Sequence, residues 1–189
     1  MIRVTSGKYR GRSVDSPSRN KQIRPTTSLM RESIFNKLQM QLPGCRFLDL
    51  FAGSGIMSLE ALSRGADFVL AIEMDPEQCK VIRKNFAHIG LTEKEVKVVP
   101  CDALGLMKKP CREEAFDFIF ADPPYGFKAL PELVAQSRQH GWLKPDGLII
   151  VEHGSRDAEL EGFTRKVYGD TAISIRRFET DSTNDDKAD

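Results

Sequence analysis

With 189 residues, 40% of them hydrophobic and 29% charged, the chain has room for one complete hydrophobic core, and its apolar runs (residues 68–72 and 148–151) are strand-sized, too short to span a membrane. Four scattered cysteines (Cys45, Cys79, Cys101, Cys111) with no C-x-x-C pair, and three histidines with none beside a cysteine, speak against a disulfide framework and a metal site. A net charge of +1 conceals a basic head, seven Lys and Arg against Asp15 over residues 1–24, and an acidic tail, five acids against Lys187 after Phe178.

Residues 1–24 mix Gly7, Gly11 and Pro17 with short apolar alternation and predict a small β-hairpin or extended appendage. Met1 to Thr5 carries no apolar export signal, so a cytoplasmic location is expected. After Arg24-Pro25-Thr26-Thr27, the spacing of Met30, Ile34 and Leu38 predicts a helix, capped by Thr27 or Ser28 and ended by Pro43-Gly44. Strand–helix repetition follows. Residues 47–50 form a strand, Gly53-Ser54-Gly55 a loop, and Ile56, Leu59 and Leu62 the apolar face of a helix stopped at Gly65. A second strand covers 68–72, and a helix with Pro76 near its start and Gly90 at its end carries Val81, Ile82, Phe86 and Ile89. A third strand (96–99) precedes a short helix at 103–107; a fourth (116–121) leads into Asp122-Pro123-Pro124-Tyr125 and a helix with Leu130, Leu133 and Val134. A fifth (148–151) is introduced by a Pro145-Asp146-Gly147 turn, and residues 163–168 and 172–178 flank Gly169-Asp170 as a hairpin.

This order predicts an α/β fold: a seven-stranded, mostly parallel sheet with helices on both faces and an antiparallel C-terminal hairpin strand. That hairpin separates the methyltransferase version of the Rossmann-like fold from the dehydrogenase version. Three parts are expected: a basic N-terminal extension of hairpin and helix (1–44), the methyltransferase domain (45–178) and an acidic, disordered tail (179–189).

The glycine loop sits where the first strand of the repetition turns into a helix, the usual ligand-binding edge of an open α/β sheet. Glycine lets a ligand approach the main chain with no Cβ in the way. Glu73, 20 residues beyond Gly53, ends the second strand and can accept hydrogen bonds from both ribose hydroxyls. Asp102, after the third strand, can accept one from an adenine amino group. A dinucleotide fingerprint would want glycine at position 58, where this chain has Ser58, and Asp49 would repel a pyrophosphate. The ammonium and sulfonium of S-adenosylmethionine are cations that Asp49 can attract.

Asp122-Pro123-Pro124-Tyr125 follows the fourth strand directly. Two prolines fix two φ angles and remove two donors, leaving rigid carbonyl acceptors. An exocyclic amine needs such a site, because its lone pair is delocalised into the ring. With one N–H on the Asp122 carboxylate and one on the Pro123 carbonyl, the nitrogen is held toward tetrahedral geometry and its lone pair faces the methyl group. Tyr125 offers a face for the base to stack on.

The same residues resemble the RsmD family, bacterial methyltransferases of guanine N2 in small-subunit (16S) ribosomal RNA. The resemblance runs from Ile2 to about Phe178. It includes Ser6-Gly7-Lys8-Tyr9-Arg10-Gly11-Arg12, Arg24-Pro25-Thr26-Thr27 with Arg31-Glu32-Ser33-Ile34-Phe35-Asn36, residues 49–55 and 59–65, Ile72-Glu73-Met74-Asp75, Asp122-Pro123-Pro124-Tyr125 and residues 168–175. It implies Asp122, Pro123, Pro124 and Tyr125 as catalytic residues. It implies Arg24, Thr26, Thr27, Asp49, Phe51, Gly53, Gly55, Glu73, Met74, Asp102 and Ala103 as cofactor contacts, with the Arg-Pro-Thr-Thr region closing over S-adenosylmethionine. Lys8, Arg10 and Arg12 would contact ribosomal RNA within the small subunit or an assembly intermediate, and the enzyme would act as a metal-free, membrane-free monomer. Tyr125 stands where some relatives carry Phe, which keeps the stacking face.

Other readings share parts of this pattern. A DNA adenine or cytosine methyltransferase shares Asp-Pro-Pro-Tyr but usually carries a target-recognition insertion, for which this chain has no spare segment. A protein-glutamine methyltransferase typically begins the motif with Asn. A nicotinamide dehydrogenase is disfavoured by Ser58 and Asp49, and a silent RNA-binding module by the joint presence of Asp49, Glu73 and Asp122.

Overall fold

The computed structural model describes residues 1–15 and 28–179. A two-residue strand β1 (Ile2–Arg3) pairs antiparallel with β2 (Ser13–Val14), and α1 (Ser28–Leu38) follows, running into a short 3₁₀ turn at Gln39–Gln41. The repetition comprises β3 (Arg46–Asp49), α2 (Ile56–Ser63), β4 (Phe68–Glu73), α3 (Pro76–Ile89), β5 (Val96–Pro100), α4 (Ala103–Met107), β6 (Phe116–Ala121) and α5 (Leu130–Gln139). It closes with β7 (Leu143–Gly154), β8 (Thr164–Tyr168) and β9 (Thr171–Arg177). The seven-stranded sheet has the order β5-β4-β3-β6-β7-β9-β8, with β5 through β7 parallel and β9 antiparallel to both neighbours. This is the Rossmann-like methyltransferase arrangement that the hairpin signal predicts.

The parallel strands read as unbroken apolar runs because helices cover both of their faces. Alternation sorts them. Phe47, Val69, Ala71, Phe118, Phe120, Leu148 and Ile150 join one cluster with Ile34, Phe35 and Leu38 of α1, Ile56 and Leu59 of α2, and Ile82 and Phe86 of α3. Leu48, Leu70, Ile72, Ile119, Ala121, Ile149 and Val151 join the other with Ala103 and Met107 of α4 and Leu130 and Leu133 of α5. Helix ends follow their sequence signals: Asp75 caps α3 by accepting the Glu77 N–H, Pro76 starts it, and Gly90 ends it in the left-handed region.

The N-terminal extension shares the first cluster through Val4, Val14 and α1. Its basic loop is seated on the end of α2: the Lys8 N–H donates to the Ser63 carbonyl (2.7 Å), the Tyr9 N–H to Ser63 Oγ (2.9 Å), and Ser63 Oγ to the Ser6 carbonyl. Gly7 permits this approach, since a Cβ there would lie 1.8 Å from the Ser63 carbonyl oxygen. Beneath the loop, buried Glu60 accepts the Thr5 N–H and hydroxyl and pairs with Arg31 and Arg64.

One boundary differs from the sequence expectation. The fifth strand starts at Leu143 instead of after Gly147: Leu143 pairs with Phe116 and Leu148 with Phe118, so Lys144 to Gly147 form an irregularity inside one long strand. Pro145 and Gly147 read as a turn in sequence, yet a bulge uses the same residues.

Candidate active site

The order of the sheet reverses at β3, whose neighbours are β4 on one side and β6 on the other. At such a switch point the loops leaving adjacent strands diverge and open a crevice at their carboxyl ends. The glycine loop leaves β3 and Asp122-Pro123-Pro124-Tyr125 leaves β6, so the two strongest sequence motifs flank one crevice. A cavity of about 910 Å³ lies there. Phe51, Gly53, Glu73, Met74, Asp102, Ala103, Asp122, Pro123, Pro124 and Tyr125 all line it.

Gly53 and Gly55 both have positive φ, 54° and 78°, and Gly55 forms the N-cap of α2. The Gly53 N–H donates to Glu73 Oε2 (3.0 Å) and the Asp75 N–H to Glu73 Oε1 (2.9 Å), while the Gln78 side chain donates to the Gly53 carbonyl. Glu73 is thereby fixed at the cavity wall with one acceptor position left on each oxygen, a geometry suited to a vicinal diol. Met74 beside it is exposed. Asp102 caps α4 by accepting the Gly105 N–H, so one of its carboxylate oxygens serves the helix.

Asp49 lies behind the loop rather than on the cavity wall. It is 1% exposed, its Oδ2 accepts the Ser58 hydroxyl (2.7 Å), and its Oδ1 has no hydrogen-bond partner among the described residues. Burial pushes its carboxyl up to about 6, against the opposing effect of the Ser58 hydrogen bond. An orphaned acceptor held just behind a glycine loop suits a cationic ligand, whose charge would favour the ionised form. Ser58 and Gln78 were not singled out as site residues in the sequence. Ser58 counted only as a missing third glycine, and the polar positions of a helix carry no distinguishing pattern.

The tetrapeptide is held by its own turn. The Phe127 N–H donates to the Pro124 carbonyl (3.1 Å), and Gly126, at φ 79°, occupies the position where such a turn requires glycine. Pro124 is committed to the turn, whereas the Pro123 carbonyl receives no backbone N–H among the described residues. Tyr125 sits at the corner with its ring 95% exposed, open to stacking. The Phe127 ring meets Phe51 edge-on at 5.5 Å and ties the turn to the glycine loop. Burial raises the Asp122 carboxyl well above the usual carboxylate range, with Glu152 and then Asp49 adding to the shift.

The far wall comes from residues that sequence reasoning passed over: Glu152, His153 and Gly154 at the end of β7, residues 155–157 beyond it, Asp170 and Thr171 at the β8–β9 turn, and Ile2 of β1. A polar Glu152 closing the apolar run 148–151 was the signal that could have found that wall. Lys8, Arg10 and Arg12 are exposed on the docked basic loop and are not on the cavity wall. Arg24, Thr26 and Thr27 lie outside the described residues, as do 180–189 of the acidic tail. Among the described residues no group of three or more His, Cys, Asp or Glu is placed to hold a metal ion, and no helix is long and apolar enough to cross a membrane.

The family model described as conserved hypothetical protein 95 matches residues 2–177. The chain is 34% identical over 152 residues to ribosomal RNA small subunit methyltransferase D of Haemophilus influenzae, covering 80% of this chain and 78% of that one. It is 36% identical over 151 residues to the protein of the same name in Escherichia coli, covering 80% and 74%. Among solved structures, a protein from Escherichia coli provisionally assigned as the methyltransferase yhhF superposes with a TM-score of 0.82 at 32% identity, over 95% of this chain and 98% of that one. The Podospora anserina methyltransferase PaMTH1, solved with S-adenosylhomocysteine, shares the fold at 16% identity with a TM-score of 0.62. Motif, topology and similarity agree: the chain belongs to the RsmD family.

Proposed function

We propose that the chain transfers a methyl group from S-adenosylmethionine to the exocyclic N2 amino group of a guanine in small-subunit ribosomal RNA. The observation that carries this reading is the turn at Asp122 to Phe127, which presents one carboxylate and one uncommitted imide carbonyl at the rim of the cavity that the glycine loop closes. Membership in the RsmD family, and the names its ribosomal RNA methyltransferase relatives carry, supply the substrate class.

The residues divide the work. Glu73 accepts the ribose hydroxyls, the loop at Gly53 lets the nucleoside lie against the main chain, and Asp49 favours the amino-acid ammonium from behind. Met74 and Phe51 offer apolar surface beside the adenine, and Asp102 and Ala103 bound it. Asp122 and the Pro123 carbonyl each accept one N–H of the target amine, drawing it toward tetrahedral geometry with its lone pair aimed along the transfer line. When bound, S-adenosylmethionine supplies a methyl on sulfur, whose C–S electron pair stays with sulfur as the N–C bond forms. Asp122, its proton affinity raised by burial and by Glu152, is suited to receive the proton the methylated nitrogen sheds. Tyr125 stacks on a base that has left its own helix, so the substrate is an accessible loop or a partly assembled particle. Lys8, Arg10 and Arg12 neutralise backbone phosphates.

Nucleoside mass spectrometry of ribosomal RNA tests the reading. RNA from cells without the gene should lack one N2-methylguanine, restored by the wild-type chain and not by Asp122→Ala, while purified Asp122→Ala binds S-adenosylhomocysteine within a few-fold of wild type. An unchanged N2-methylguanine content would refute the reading; lost cofactor affinity in the variant would take Asp122 out of the acceptor role.

A further inference from the structure

The carboxyl ends of β4, β3, β6 and β7 carry an acid each: Glu73, Asp49, Asp122 and Glu152. In the alternating pattern of these strands, each follows the residues that face α1 to α3. Glu73 and Asp49 belong to the cofactor half of the row. Asp122 and Glu152 form the other half: β6 and β7 are parallel with Ala121 opposite Val151, so the two acids immediately following these partners stand side by side on adjacent strands. Glu152 is 6% exposed and lines the same cavity as Asp122. Placing a second carboxylate against the first is electrostatically costly. Gripping an amine requires only Asp122 and Pro123, so the second acid calls for a separate role.

We propose that Glu152 is the base-reading residue: beside the N2 amine held by Asp122, its carboxylate accepts the N1–H of guanine. This rests on the guanine-N2 reading above and extends it to how the base is chosen. The chemistry of the three amino-bearing bases supports it. Guanine places a ring N–H donor directly beside its amino group. In adenine and cytosine the neighbouring ring nitrogen is an acceptor with a lone pair, which an ionised carboxylate repels and cannot bond. A carboxylate accepts and does not donate, so two carboxylates in a row match guanine's adjacent donors and reject the other two bases. Rejection by an unpaired buried polar group is far stronger than rejection by shape alone.

The test uses the intact enzyme and small-subunit ribosomal RNA in which the methylated position, located by mass spectrometry, carries either guanine or 2-aminopurine. The analogue keeps the 2-amino group and replaces the N1–H with an acceptor nitrogen. Wild-type kcat/KM should favour guanine by about 100-fold or more. In Glu152→Gln the amide can donate to the analogue's N1, and the guanine preference should fall at least about tenfold while S-adenosylhomocysteine affinity stays within a few-fold. Comparing the preference between the two enzymes cancels the intrinsic difference in amine reactivity. Glu152→Ala, which removes the acceptor, should lose the preference as well. Equal use of both bases by the wild type, or an undiminished preference in both variants, overturns the inference while leaving the methyltransferase reading intact. Mapping that finds no guanine N2 methylation fails the underlying reading instead.

Discussion

Asp49 costs the fold stability, and the sign of that cost can be measured. Burial moves its carboxyl from 3.8 to about 6, a difference of about 3 kcal/mol between its protonated and ionised states. Below about pH 4 the group is protonated in both folded and unfolded chains and has no effect. As pH rises from about 4 to 6 the unfolded chain ionises first, so stability declines, and above 6 the full cost remains. Asp49→Asn removes that decline. Without cofactor, the variant should melt near wild type at pH 4.5 and higher than wild type at pH 7.5, while its S-adenosylmethionine affinity, measured calorimetrically at pH 7.5, falls about tenfold for want of a charge facing the ammonium. A melting difference that stays the same at both pH values would contradict this account of Asp49. The acids of the site were legible because each closes a strand in the sequence. Ser58, Gln78 and Phe127 were not, because their roles arise from distances across the chain: the Gln78 amide reaches Gly53, and Phe127 meets Phe51, only once α3 and the turn are packed.

At the level of elements, helix and strand order follows from periodicity and glycine punctuation, and the expected hairpin at the C-terminus is present as β8 and β9. What the sequence concealed was how the basic head sits. Its run of Gly, Lys and Arg suggests an appendage, yet the backbone of residues 6–9 is bonded to Ser63 and the strand beside it to Glu60. Those partners lie more than 50 residues away, beyond any local pattern. Gly7 and Gly11 separate the two descriptions. Both have positive φ, 82° and 81°, but a Cβ at Gly11 meets nothing within 4 Å, whereas one at Gly7 collides with the backbone of α2. Gly11→Ala should cost about 1–2 kcal/mol for the left-handed conformation alone. Gly7→Ala should cost at least about 2 kcal/mol more, because the Ser63 carbonyl belongs to a packed helix. Urea denaturation of the two variants measures the difference, and equal costs would mean that the loop is not seated on α2.

Over the whole molecule, charge is separated by function. The cavity is lined mainly by acids, with Glu73, Asp102, Asp122 and Glu152 among them, an environment that attracts a sulfonium and an ammonium and repels a polyanion. RNA must therefore be held elsewhere and deliver only its target base to the crevice. Lys8, Arg10 and Arg12 meet that need: they are exposed, and their loop is fixed by Ser63 to the helix that begins at Gly55 of the cofactor loop. A rigid basic loop loses little conformational freedom on binding, so its phosphate contacts should form at a fixed distance from Asp122 rather than anywhere along the RNA. Replacing all three residues by alanine should lower RNA affinity and flatten the slope of log K against log salt by about 2 to 3, at about 0.7 to 0.9 per lost phosphate contact. Titrations at several salt concentrations provide the slope, and S-adenosylhomocysteine affinity, which depends on the acidic cavity alone, should be unchanged. A slope that does not move would place the RNA on a different face and leave the docked loop a structural role only.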